Sequence, residues 1–298
     1  MPMADRQHSA KRRRIVVGVD RSLGAHIALE HAGRRVGPDG QLLIAHVMAP
    51  LSDAIGRTIG GLDEERRAAG QELVDRLAGD VGADTETRVL EGAAAECLAE
   101  LARETQADEI VVGSRGLGRF AAALGSVSHA LLAYADHPVV VVPSAAADHP
   151  RDAHEPGQCI VVVGYDGSPP AEEALAYALR RTGANGRVVA VNAFQPTPDW
   201  LGSPNYQRAL DAHQTHGREL LRSLEERDDL GRELVTSLLE GPPARAIVAA
   251  ADARDADEIV IGSRGFGRVR GVLGSVSHAV LHEADRPVVV IPADATAA

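Results

Sequence analysis

Lysine is almost missing from this chain: Lys11 stands alone against thirty arginines in 298 residues. A Gly-x-x-x-x-Gly-Lys-[Ser/Thr] loop is therefore excluded, and any phosphate must be held by backbone N–H groups, hydroxyls, arginine or a metal ion. Cysteine is nearly as scarce. Cys97 and Cys159 fall in segments that read as a helix and a buried strand, which excludes a disulfide framework, argues against paired-cysteine metal ligation and points to a reducing cytoplasm. Aromatic residues make up only 3%, so the cores are expected to be Val, Ile, Leu and Ala, as in buried parallel strands covered by Ala-rich helices. No apolar run approaches the roughly 20 residues that span a bilayer. Excess positive charge is lacking too. The formal net charge of −11 is shared by both halves and argues against nucleic acid or an anionic membrane as partner. The basic start, ending in Lys11-Arg-Arg-Arg14, lacks the apolar stretch of a secretory signal. Residues 1–13 are read as a disordered, solubilising tail.

What the chain does contain is one unit written twice. Ala107–Pro143 and Ala256–Pro292 align without a gap at an offset of 149, with 26 of 37 positions identical, which establishes duplication. The openings Ile15-Val-Val-Gly18-Val-Asp20-Arg-Ser22 and Val161-Val-Val-Gly164-Tyr-Asp166-Gly-Ser168 match at an offset of 146. The expected domains are residues 14–143 and 158–292, joined by a polar, proline-bearing linker over 144–157 and followed by a tail over 293–298. In each copy, strands alternate with helices. The first copy reads as strands Arg14–Val19, Leu42–Val47, Glu86–Leu90, Glu109–Val112 and Val139–Val142, with Asp20 or Ser22 capping the first helix. The second reads as strands Cys159–Tyr165, Arg187–Ala193, Glu233–Leu239, Glu258–Ile261 and Val288–Ile291, with Ser168 as cap and Pro169 opening its first helix. Alternation of this kind implies right-handed crossovers and a parallel sheet, with ligands bound beyond the carboxyl ends of the strands.

Two places could carry chemistry. The first is the doubled glycine loop, Gly113-Ser-Arg115-Gly116 through Gly125-Ser126-Val-Ser128, and Gly262-Ser-Arg264-Gly265 through Gly274-Ser275-Val-Ser277. A strand that breaks into glycines and enters a helix can present free N–H groups to an anion. The same glycines can equally end a strand, with Ser126 capping a helix. The second is the pair Asp20 and Asp166, which can cap a helix, hold a ribose hydroxyl, or do both. His129 and His278 follow the Ser-Val-Ser triplets and are expected as partly exposed structural residues. His46 has Asn192 as its counterpart, so no histidine is repeated in a catalytic position, and no matched His–carboxylate pair activates Ser126 or Ser275. Trp200 lies in the loop over 195–207 and is assigned to local packing.

These blocks resemble the universal stress protein family in its tandem form. The shared elements are Val-Gly-Val-Asp20 and Val-Gly-Tyr-Asp166, the Asp-Glu-Ile-Val-(Val/Ile)-Gly-Ser-Arg-Gly segments, the Gly-Ser-Val-Ser-His-Ala segments and the closing Pro-Val-Val-Val-(Val/Ile)-Pro. The resemblance implies an α/β fold of two tandem Rossmann-like (adenine-nucleotide alpha-hydrolase-like) domains. Each would be a five-stranded parallel sheet of order 3-2-1-4-5 with helices on both faces. It also implies a cytoplasmic, stress- or dormancy-related role with ATP or another adenine nucleotide as ligand and Mg²⁺ as its candidate companion. Pairing through the last strand would occur inside the chain and then between chains in a homodimer, with a protein partner of unknown identity. Carried over to this sequence, Asp20 and Val47 would face adenosine, Gly113, Arg115 and Gly116 the ribose and phosphates, and Gly125, Ser126, Val127 and Ser128 the phosphate tail. Asp166, Ala193, Gly262, Arg264, Gly265, Gly274, Ser275, Val276 and Ser277 would do the same in the second domain. The ATP-binding pattern Gly-x₂-Gly-x₉-Gly-[Ser/Thr] is one residue longer than both copies here, which leaves AMP, a cyclic nucleotide or no ligand open. A slow nucleotide hydrolase or transferase, and a ligand-free partner-binding module, are the alternatives.

Overall fold

A computed structural model describes residues 12–51, 61–114, 124–147, 159–182, 185–195, 204–227, 234–265 and 273–293. The first copy runs β1 (Arg14–Gly18), α1 (Leu23–Val36), β2 (Gln41–Met48), α2 (Leu62–Gly79), β3 (Asp84–Glu91), α3 (Ala94–Thr105), β4 (Glu109–Gly113), α4 (Ser126–Tyr134) and β5 (Val139–Val142). The second runs β6 (Ile160–Gly164), α5 (Pro169–Thr182), β7 (Arg187–Phe194), α6 (Pro204–Glu225), β8 (Leu234–Glu240), α7 (Pro243–Asp252), β9 (Glu258–Gly262), α8 (Ser275–Glu283) and β10 (Val288–Ile291). Between the copies, Ser144–Ala147 makes a 3-10 turn whose Ala146 is buried.

The ten strands form one sheet in the order β3-β2-β1-β4-β5-β10-β9-β6-β7-β8. Each half has the expected 3-2-1-4-5 order. Pairing is parallel everywhere except at the seam, where Val139, Val140 and Val141 of β5 run antiparallel to Val290, Val289 and Val288 of β10. Side chains alternate between two cores, as strand geometry requires. Ile15, Val17, Val140 and Val289 enter the layer under α1, α2, α5 and α6. Val16, Val141 and Val288 enter the layer under α3, α4, α7 and α8. Both cores cross the seam, and both are made of Val, Ile, Leu and Ala with little aromatic content, so burial on two faces explains the unbroken β-branched runs.

Only three residue pairs hold the seam through backbone register, yet a buried polar cluster also spans it. Arg35 of α1, 3% exposed, donates from Nε to Glu109 of its own domain at 2.6 Å and from a terminal nitrogen to Glu258 of the other. Another Arg35 nitrogen donates to the Tyr177 hydroxyl of α5, which donates to the second oxygen of Glu109. Arg13 adds an ion pair to Glu109 at 3.0 Å. Burial alone would raise the Glu109 carboxyl. The Arg35 and Arg13 guanidiniums, with hydrogen bonds from Arg35 and Tyr177, overcome that and hold it at about 2. Glu258 is also buried and is pulled below its ordinary range by Arg35 and Arg181.

The carboxyl ends of the central strands are tied by one device in two chemical forms. Val19 donates to the Ala45 carbonyl at 2.8 Å, and Tyr165 to the Val191 carbonyl at 2.8 Å. His46 Nδ1 then donates to the Val19 carbonyl at 2.9 Å, while Asn192 Nδ2 donates to the Tyr165 carbonyl at 2.8 Å. The two side chains place a nitrogen at the same remove from the backbone, which accounts for His in one copy and Asn in the other.

Arg35→Ala is expected to cost about 3–5 kcal/mol in urea denaturation, because it strands buried carboxylates. The folded pKa of Glu109 is depressed from the ordinary 4.5 to about 2. Its contribution is therefore complete above pH 4.5 and is lost as pH falls toward 2. Across that window stability should fall more steeply in the native chain than in Glu109→Gln, and equal slopes would refute the assignment. His46→Asn should keep the native melting temperature, whereas His46→Ala, which leaves the Val19 carbonyl unmatched, should cost about 1–3 kcal/mol.

Candidate functional site

In each half the ends of the first and fourth strands, β1 with β4 and β6 with β9, lie side by side where strand order reverses. The floor of this crevice is built from the opening motif. Asp20 Oδ1 accepts the Ser22 N–H at 2.9 Å and the Ser22 hydroxyl, and Ser22 Oγ in turn accepts the Ala25 N–H at 3.2 Å. Ser22 is thus the cap of α1, and Asp20 fastens the cap. Asp166 Oδ1 repeats the arrangement with the Ser168 N–H at 3.0 Å and the Ser168 hydroxyl. The second oxygen, Oδ2 of Asp166, points across to the glycine loop: a Cβ placed on Gly265 would lie 2.5 Å from it.

Glycine at the end of β4 and β9 has a steric cause. A Cβ on Gly113 would meet the backbone of Gly24 at 2.8 Å, and one on Gly262 would meet Pro170 at 2.7 Å. The strand ends therefore press directly on the first turns of α1 and α5. Across the crevice, Gly125 and Gly274 donate to the carbonyls of Ser114 and Ser263 at 2.7 and 2.8 Å, which sets the entry to α4 and α8. Those helices have glycine N-caps and no side-chain cap. Ser126 is the first helical residue rather than the cap, which departs from the capping role considered for it. The first intrahelical bonds are donated by His129 to Gly125 and by His278 to Gly274, both at 2.9 Å. The N–H groups of residues 126–128 and 275–277 precede them and belong to the unsatisfied start of a helix.

In the second domain these parts enclose a cavity of about 510 Å³, within the range of small-ligand sites. It brings together all nine of the residues predicted there: Asp166, Ala193, Gly262, Arg264, Gly265, Gly274, Ser275, Val276 and Ser277. Ser277 lines it with its hydroxyl proton already given to the Gly262 carbonyl at 2.8 Å, and Ser128 does the same to Gly113 at 2.7 Å. These two serines hold the strand end to the helix start. In the first domain, Asp20, Val47, Gly113, Gly125, Ser126, Val127 and Ser128 occupy the corresponding positions, while Arg115 and Gly116 lie outside the described residues, as does Trp200 of the second domain. Sequence reasoning missed Pro243, Ile247 and Leu273, which supply an apolar wall. For Pro243 and Ile247 the only signal was the amphipathic spacing of α7, which any core helix would share, and Leu273 lies just ahead of α8.

Two expectations for histidine are resolved. His46 is committed to the Val19 carbonyl. His129 and His278 are exposed and stand edge to face, with ring centroids 6.4 Å apart. The His278 ring is pulled below its ordinary pKa by burial first, then by repulsion from His282 and His129. Among the described residues no helix is long and apolar enough to cross a membrane.

Comparison with known proteins agrees with the geometry. The sequence profile of the universal stress protein family matches residues 11–143 and 160–292. A universal stress protein of Mycobacterium tuberculosis is 32% identical, covering 94% of this chain and 96% of its own length. One from Mycolicibacterium smegmatis is 29% identical over 93% of this chain and 96% of its own. The crystal structure of a universal stress protein from Archaeoglobus fulgidus shares the fold, with a TM-score of 0.64 at 24% identity, covering 95% of this chain and 99% of that one. The doubled crevice, the sheet order and the two matched segments together place this chain in the universal stress protein family, as a tandem member with two domains.

Proposed function

We propose that the chain binds an adenine nucleotide, ATP first, in one or both crevices and acts as a cytoplasmic stress or dormancy regulator through ligand-dependent shape or partner binding. The observation that carries this is the pairing, in one cavity, of a helix start without a side-chain cap and a carboxylate with one oxygen already fastened. The N–H groups at Ser275, Val276 and Ser277 suit a phosphate tail. Asp166 Oδ2 suits a ribose hydroxyl, and the wall of Pro243, Ile247 and Leu273 suits a flat base.

Arg264 lines the same cavity and supplies a cation there in a chain whose single lysine is Lys11. Among the described residues no three His, Cys, Asp or Glu side chains converge as a ready metal cage. A magnesium ion would arrive with the phosphates. The last-strand edges β5 and β10 are spent on each other, so a homodimer of whole chains would use a different surface.

Calorimetric titration of the untagged protein with ATP, ADP, AMP and cyclic AMP, with phosphate release followed in parallel, tests the proposal. Saturable binding with background phosphate release is expected, and Asp166→Ala should weaken the second site about tenfold or more. Turnover that disappears in Asp166→Ala would instead support the hydrolase. No affinity for any of the four, with no nucleotide released from the native protein on denaturation, would leave the ligand-free module. Gly265→Ala should weaken binding with little change in melting temperature, because its methyl displaces only the Asp166 carboxylate.

A further inference from the structure

Three histidines meet at one place on the surface, on the sheet face opposite Arg35. His129 is the fourth residue of α4 and His278 the fourth of α8, and their rings face each other across the domain seam at 6.4 Å. His282, one turn farther along α8, has its ring centroid 4.4 Å from that of His278. All three are exposed. Three other histidines are engaged elsewhere: His26 with Glu30, His46 with the Val19 carbonyl and His137 with Asp136.

We propose that His278 and His282 chelate a late first-row divalent ion, Zn²⁺, Ni²⁺ or Cu²⁺, and that His129 of the first domain joins as a third imidazole, making a metal clasp across the seam. Histidines at i and i+4 project from one helix face, a spacing that metal-binding helices use. Imidazole is a borderline donor that suits these ions and not the hard Mg²⁺ or Ca²⁺. With metal–nitrogen bonds of about 2.1 Å, two ligand nitrogens on a tetrahedral ion lie roughly 3.4 Å apart, within reach of the His278–His282 pair.

Among the described residues no three such ligands already converge on one point. The ion assembles the site by turning exposed rings, drawing His129 toward the His278–His282 pair. Nearby Glu283 is drawn toward Arg245 at 3.7 Å, which leaves the imidazoles as the first ligands. The clasp would hold the heads of α4 and α8 together on one face of a seam that the Arg35 cluster holds on the other. It does not depend on nucleotide binding.

The test is calorimetric titration of the untagged, chelator-treated full chain with Zn²⁺, with Mg²⁺ as control, alongside His129→Ala, His278→Ala and His282→Ala. One principal site per chain is expected, with no comparable Mg²⁺ signal. His278→Ala and His282→Ala should each weaken it about tenfold or more, with a smaller loss for His129→Ala. Zn²⁺ should raise the melting temperature of the native chain and not of the His278→Ala/His282→Ala double variant. These side chains are exposed, so the variants should fold. Unchanged affinity in His278→Ala and His282→Ala would overturn the site. Unchanged affinity in His129→Ala alone would overturn the clasp between domains.

Discussion

One guanidinium holds the two halves of this protein in register. Arg35 is buried between Glu109 of its own domain and Glu258 of the other, with the Tyr177 hydroxyl closing the circuit. The β5–β10 seam is too short to specify the docking alone, since three valine pairs give few backbone bonds and valines slide over one another readily. Buried charges do not slide. Removing either partner leaves an ion without water, and a shifted register would do the same. The cluster therefore turns two five-stranded sheets into one ten-stranded sheet with continuous cores on both faces.

The cluster also fixes where the crevices lie. Glu109 and Glu258 begin β4 and β9, and Gly113 and Gly262 end them. Anchoring the strand starts at the seam places the strand ends against the first turns of α1 and α5, where only glycine fits. Asp166 then shares one cavity with the helix entered at Gly274. The cavity is thus a consequence of sheet order and close packing, with polar groups placed by the backbone. A site built from N–H groups and one carboxylate tolerates changes around it, such as His46 in one domain and Asn192 in the other, provided the same carbonyl remains tied.

Much of this was legible in the residues. β-branched runs alternating with helical stretches dictate buried parallel strands, and their duplication at a constant offset dictates two of everything. Strand positions came out within a residue or two, as with β3, which begins at Asp84 rather than Glu86. Arg35 was not legible, although a hint existed: Glu109 and Glu258 open apolar strands, where an acid needs a buried partner. Sequence could not name that partner, because Arg35 lies 223 positions from Glu258 and on the other domain. Ser128 and Ser277 look like phosphate ligands in the sequence, and only their hydrogen bonds to Gly113 and Gly262 reveal what their hydroxyl protons do.

The sequence by itself determined the fold, its duplication and the residue types at the crevice, because periodicity, glycine and helix capping are local properties of a chain. Tertiary structure decided which groups meet: the antiparallel seam, the charge cluster beneath it, the apolar wall of α7 and Leu273, and the histidines above. Those contacts join residues far apart in the chain, and their energies come from burial and mutual distance, which no local pattern encodes.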